Sequence, residues 1–252
     1  MTLQVHQFPC LSDNYGYLVH DAASGETVAV DTPDGPEYLA QAAAKGWRIT
    51  QIWNTHWHPD HAGGNEAIHQ ATGCAIIAPA GEQYPIFGVT RAVTGGERVA
   101  LGGFTADVID VGGHTLGHVA YHLPAAGIAF TGDALFALGC GRMFEGTAPQ
   151  FWASLTRLRA LPDATLCYCA HEYTLSNARF AAHADPDNAA LAAYLAEVEA
   201  ARAAGQPTVP FALGREKATN PFLRADSAAL AARWGTDATA AFAALREAKN
   251  SF

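Results

Sequence analysis

Within Thr55-His56-Trp57-His58-Pro59-Asp60-His61-Ala62-Gly63-Gly64, three imidazoles and one carboxylate crowd into a short polar stretch between an apolar run and a helical segment. In an extended segment the period of two points His56 and His58 the same way, while Asp60 and His61 fall where the chain turns toward the helix. One pair can serve one cation and the other pair its neighbour. Crowded ring nitrogens and carboxylate oxygens repel one another or must be desolvated when no cation joins them, so a polar surface loop or scattered core histidines explain the segment poorly. Each cation needs more ligands than this loop supplies, and later segments offer them. His114 follows the apolar run Val108 to Val111, Asp133 closes the run that starts at Ile128, and His171 follows Leu166 to Ala170. Taken singly, each reads as an ordinary satisfied turn residue. Together they end strands, where α/β sheets place their chemistry, and the two oxygens of Asp133 can bridge two cations. His118 and His122 share a face by period, but nothing else marks them as ligands, and they are expected in the core.

The elements that must position these side chains are legible in outline. Strands are expected at Leu3 to Phe8, Tyr15 to His20, Thr27 to Asp31, Ile49 to Asn54 and Val108 to Val111. Pro36 to Lys45 and Gly63 to Thr72 have helical composition, Pro149 to Leu161 opens with a proline suited to a first turn, and Leu166 to Cys169 reads as a last strand. Beyond about Tyr173 alanine, leucine and glutamate dominate, and helices are expected near Ser176 to His183, Asn188 to Ala204, Asp226 to Trp234 and Asp237 to Lys249. Gly205 to Asn220, carrying Pro207 and Pro210, reads as a long surface loop.

The chain of 252 residues is 50% apolar, enough for a substantial core, and carries a formal charge of −9. That charge speaks against nucleic acid and against an anionic membrane surface, both of which need a basic face. No window approaches the roughly 18 apolar residues of a membrane span, and a soluble protein is expected. Five cysteines, with no C-x-x-C pair, fit a reducing compartment, and Cys167 and Cys169 are expected as small core residues on one strand face.

The pattern T-H-x-H-x-D-H, followed by His114, Asp133 and His171, resembles the metallo-β-lactamase superfamily. Within it the chain is most similar to glyoxalase II, on Cys140 to Ala148, His171-Glu172-Tyr173-Thr174, Asn220-Pro221-Phe222-Leu223-Arg224, and Arg246 with Lys249. The resemblance covers nearly the whole chain. It implies an α/β fold, a four-layer αβ/βα sandwich with metals at one edge, spanning residues 1–172, and a small all-helical C-terminal domain, residues 173–252, that binds glutathione. It assigns His56, His58 and His114 to one metal, Asp60, His61 and His171 to a second, and Asp133 to both. Two divalent ions follow, zinc foremost, with iron or manganese also compatible with nitrogen and oxygen ligands. The glutathione pocket implied consists of Arg142, Phe144, Tyr173, Arg246 and Lys249. Lysine is common in the family where this chain has Arg142, and tyrosine where it has Phe144, so the charge survives and one hydroxyl is lost. A spacing of three puts Arg246 and Lys249 on one helix face, where they can meet a carboxylate or simply complement the helix dipole. Tyr173 can equally be a half-buried core aromatic.

The activity implied is hydrolysis of S-D-lactoylglutathione to D-lactate and glutathione, the second step of methylglyoxal detoxification, by a cytoplasmic monomer. A metal pair about 3.5 to 4 Å apart makes hydroxide available at neutral pH, oriented by Asp60 and Asp133 as the catalytic carboxylates. The rivals are a mononuclear-iron persulfide dioxygenase and a non-catalytic binding protein of the same fold; occupation of all seven ligand positions argues against both.

Overall fold

The β-branched runs of the first half pair as strands in the computed structural model, which describes residues 3–252. They belong to one of two compact units: residues up to Asp110 with Thr115–Gly132 form one, and Val111–His114 with Asp133–Phe252 form the other.

The first unit opens with β1 (Leu3–Cys10), β2 (Asn14–Asp21) and β3 (Thr27–Val30), followed by α1 (Gly35–Lys45) and β4 (Gln51–Trp53). Then come α2 (Pro59–Ala62), α3 (Asn65–Thr72), β5 (Ala75–Pro79) and β6 (Arg91–Val93). Strands β1 to β6 lie side by side in chain order, antiparallel as far as β3 and parallel from β3 to β6. All four residues of β3 are buried, as a parallel strand covered on both faces requires, so the strand reads as a continuous apolar run. Helix α1 starts where Asp34 accepts a hydrogen bond from Glu37 N and Pro36 pre-sets the first turn. Losing that cap costs about 1 kcal/mol. Tyr38 from α1 joins Phe8, Leu18, Ile52, Ile68 and Ile76 in the core, and its buried hydroxyl is satisfied by donating to Val30 O and accepting from Tyr17 N. The remaining strands are β7 (Arg98–Leu101), β8 (Phe104–Asp110), β9 (Val119–Leu123) and β10 (Ile128–Gly132), adjacent and antiparallel in the order β10-β9-β8-β7.

In the second unit, β11 (Leu135–Phe136) and β12 (Gly139–Cys140) form a small antiparallel hairpin. After it come α4 (Ala148–Arg159), β13 (Leu166–Cys169), α5 (Thr174–Ala184) and α6 (Ala189–Ala203). The chain continues through β14 (Phe211–Ala212), α7 (Leu213–Thr219), α8 (Ala228–Trp234) and α9 (Ala238–Asn250). Thr147 caps α4, and Pro149 stands in its first turn as the sequence suggested. Phe151 of α4 meets Phe242 of α9 edge to face, ring centroids 5.6 Å apart. Cys167 and Cys169 are buried, and burial pushes both thiols far above the usual range.

One expectation is corrected here. Residues 205–220 are not a continuous loop: β14 pairs antiparallel with β13, and α7 follows at once. The prolines end before Phe211, and the buried face of α7 is Leu213, Glu216 and Thr219, so its helical period carries little apolar signal. Among the described residues no helix is long and apolar enough to cross a membrane.

Candidate functional site

The first unit carries four of the anticipated ligands in the segment that leaves β4. His56 and His61 are buried, with ring centroids 4.0 Å apart, and Asp60 and His61 fall in the single turn of α2. His56 Nε2 lies 3.0 Å from His58 Nδ1, and His61 Nε2 lies 3.5 Å from Asp60 Oδ2. These are the two pairs that the spacing predicted.

Asp31, directly after β3, fixes their tautomers. Its carboxylate accepts from Thr55 N at 2.7 Å, Thr55 Oγ1 at 2.9 Å and His61 Nδ1 at 2.9 Å. The Thr55 hydroxyl, having given its proton to Asp31, accepts from His56 Nδ1 at 3.0 Å. In neutral rings the network therefore leaves the Nε2 of both His56 and His61 as lone pairs, directed at another ring nitrogen and at a carboxylate. Lone pairs facing lone pairs favour a cation between them. Asp31 is a residue of the candidate site that the sequence reading missed. The sequence offered only a carboxylate at a strand end; the structure adds a φ of +48°, a conformation uncommon outside glycine.

Two further residues of this unit bear on the site. Glu82 accepts from Trp57 N, Thr115 Oγ1 and Gly117 N, tying the ligand segment to the turn before β9. His118 is fully buried and stacked on His56 at 4.6 Å, and burial lowers the pKa of His122 in β9, so both sit in the core as expected.

The second unit brings the other three ligands together. His114 Nε2 lies 3.5 Å from Asp133 Oδ2, and His171 Nε2 lies 3.4 Å from Asp133 Oδ1. Each carboxylate oxygen faces a different ring, the geometry of a bridging ligand. His114 Nδ1 donates to Arg142 O at 2.8 Å, so its Nε2 too presents a lone pair to a carboxylate. His171 stacks on Tyr173, planes 2° apart and centroids 4.7 Å apart, with Phe136 edge-on. Histidine nitrogens beside aspartate oxygens, present in each unit, are ligand types that suit a divalent cation.

His114 and Asp133 line a cleft of about 500 Å³, and all five anticipated substrate residues line it with them. Arg142 and Phe144 are exposed at this cleft, and Tyr173 is 38% exposed rather than a core residue. Arg246 is different. It is buried, and its guanidinium donates to Cys140 O at 2.8 Å and Gly141 O at 3.3 Å, so it holds backbone as well as lending charge. Lys249 is half-buried and donates to Ser176 O and Oγ. Desolvation, then the charges of Arg246 and Arg142, pull its ammonium down to about 8.

Comparison with known proteins agrees with this geometry. Residues 14–171 match the metallo-beta-lactamase superfamily, and residues 172–252 match the family described as hydroxyacylglutathione hydrolase C-terminus. Proteins named hydroxyacylglutathione hydrolase from Erythrobacter litoralis and Hyphomonas neptunium are 65% and 58% identical to it. The matches cover 99% of this chain in both cases, and 100% and 98% of the two relatives. The crystal structure of ETHE1 from Myxococcus xanthus is similar with a TM-score of 0.70 at 26% identity, covering 98% of this chain and 90% of that one. With its metallo-β-lactamase fold and helical C-terminal region, the chain belongs to the hydroxyacylglutathione hydrolase family, glyoxalase II.

Proposed function

We propose that this protein hydrolyses S-D-lactoylglutathione to D-lactate and glutathione, with residues 1–172 supplying catalysis and residues 173–252 binding glutathione together with Arg142 and Phe144. The observation that carries the reading is Asp133, whose two oxygens face His114 and His171 at a cleft that also presents Arg142 and Lys249. By the family resemblance His56, His58 and His114 would hold one cation, Asp60, His61 and His171 the other, and Asp133 both. Divalent cations held there, zinc or else iron or manganese, would lower the pKa of water toward neutrality.

The residues of the chain do the rest. Asp31, directly and through Thr55, and the Arg142 carbonyl fix the rings of His61, His56 and His114 so that their Nε2 atoms are available without rearrangement, and Asp60 and Asp133 would orient the nucleophilic oxygen. Arg142 and Lys249 offer cations to the carboxylates of glutathione, and the exposed ring of Phe144 offers an apolar wall. The thiolate leaving group has a pKa of about 8.5 and departs with little protonation, so no dedicated acid is required. The reading carries with it a monomer working in the cytoplasm, which the buried free cysteines suit. Steady-state hydrolysis of S-D-lactoylglutathione, measured beside oxygen uptake with glutathione persulfide, tests it; oxygen uptake without hydrolysis would overturn it.

Two smaller effects follow. Asp31→Ala leaves three donors without their acceptor, and metal affinity is expected to fall about 10- to 100-fold, read by competition with a chromophoric chelator. Lys249 binds a carboxylate only when protonated. With its pKa depressed to about 8, the protonated fraction is nearly complete at pH 7 and is lost as pH rises through 8. KM is therefore expected to climb above pH 8, and Lys249→Arg, protonated throughout, to flatten that rise. A KM in the native protein that stays level to pH 9.5 would remove Lys249 from the binding role.

A further inference from the structure

Asn220 and Glu216 take no part in the chemistry above, yet both are fully buried polar side chains. Asn220 follows α7, and its amide nitrogen donates to Gly139 O at 3.0 Å, Glu216 Oε2 at 3.1 Å and Phe136 O at 3.2 Å. Its oxygen accepts from Phe222 N at 3.0 Å. Glu216 Oε2 accepts from Leu138 N at 2.6 Å, and Asn177 Nδ2 donates to Ala137 O at 3.1 Å. Leu138 itself sits at φ +55°, a left-handed conformation unfavourable for leucine, at the tip of the β11–β12 hairpin. With Arg246 on Cys140 O and Gly141 O, every residue from Phe136 to Gly141 has a backbone polar group held by a buried side chain.

That hairpin joins two parts of the site. Asp133 stands just before it, and Arg142, whose carbonyl orients His114, stands just after it. Gly141 lies so close to the Asp133 carbonyl that a Cβ there would collide with it, so a shift of the hairpin is passed to Asp133. Holding the hairpin this way carries a desolvation cost, since burial pushes the Glu216 carboxyl up to about 7. We infer that Glu216 and Asn220 are positioning residues for the metal centre: by holding the hairpin they set the places of Asp133 and the Arg142 carbonyl, and metal affinity depends on them. This rests on Asp133 and His114 being ligands.

The test measures metal affinity by chelator competition together with thermal stability for Asn220→Ala, Glu216→Ala, Glu216→Gln and the control Ile49→Ala. Ile49 packs in the core with Phe8, Leu18 and Ile52, a cluster that contains no residue of the hairpin and none of the candidate ligands. Asn220→Ala and Glu216→Ala are expected to bind metal about 10- to 100-fold more weakly, and Glu216→Gln, which keeps an acceptor for Leu138 N, to recover most of that loss. Ile49→Ala is expected to lower the melting temperature with no change in affinity. Unchanged affinity in Asn220→Ala, or an equal loss in Ile49→Ala, would overturn the inference. Should Asn220→Ala not accumulate as folded protein, Asn220→Ser is judged by the same two outcomes. A native protein that binds no metal defeats the ligand assignment itself and is recognised before any variant is made.

Discussion

Dialysis against a chelator is expected to lower kcat/KM for S-D-lactoylglutathione by at least about a thousandfold, and a returned divalent cation is expected to restore it. Metal stabilisation of charge in acyl transfer amounts to several kcal/mol, and 4 kcal/mol is already about a thousandfold. The residues left behind cannot substitute. His56, His61 and His114 each have Nδ1 committed as a donor, so the stripped site holds lone pairs facing a ring nitrogen or carboxylate oxygens and has no Lewis acid to lower the pKa of water. Stripping is expected to be easier at low pH, because protons compete for those same nitrogens. The measurement is activity against metal content per chain. Full activity at less than about 0.1 metal per chain would eliminate metal-dependent hydrolysis.

Asp133→Ala is expected to cost a similar factor, about a thousandfold in kcat/KM, with KM changing far less. Its two oxygens face two different rings, so one substitution disturbs both cation positions, and metal content should fall from about two per chain to one or fewer. The cleft side chains Arg142, Phe144 and Lys249 remain, which is why binding should suffer less than turnover. Loss of folding is separable from loss of chemistry: metal-free Asp133→Ala should melt close to the metal-free parent, since the ring nitrogens of His114 and His171 stand 3.5 and 3.4 Å from the carboxylate, long for strong hydrogen bonds. Near-parental turnover in this variant would show that Asp133 bridges nothing.

The candidate ligand set was legible because its members are rare residue types at the ends of apolar runs, a signal that survives without coordinates. His114, Asp133 and His171 each ended a run, and the structure puts the three together. What orients them was not legible. Asp31 also ends a strand, but spacing alone does not separate a carboxylate that takes a metal from one that takes a ring N–H. Arg246 near the end of a helix reads as a free cation, and only packing reveals that it is buried against Phe222 and spent on carbonyl oxygens. Helix α7 was hidden because its inward face carries Glu216 and Thr219 where a periodic pattern leads one to expect apolar side chains.

The division of the chain has a consequence for any attempt to shorten it. Residues Asp133 to His171 share a unit with the C-terminal helices: Phe151 leans on Phe242, Ser154 holds Gly112 O, and the buried hairpin at 135–140 is gripped from residues 177, 216 and 220. A fragment ending at residue 172 would leave these apolar faces and carbonyls bare to solvent. The tail that looks like an optional accessory is thus the other half of a shared interior, and a relative that discarded it would have to rebuild the ground on which Asp133 stands.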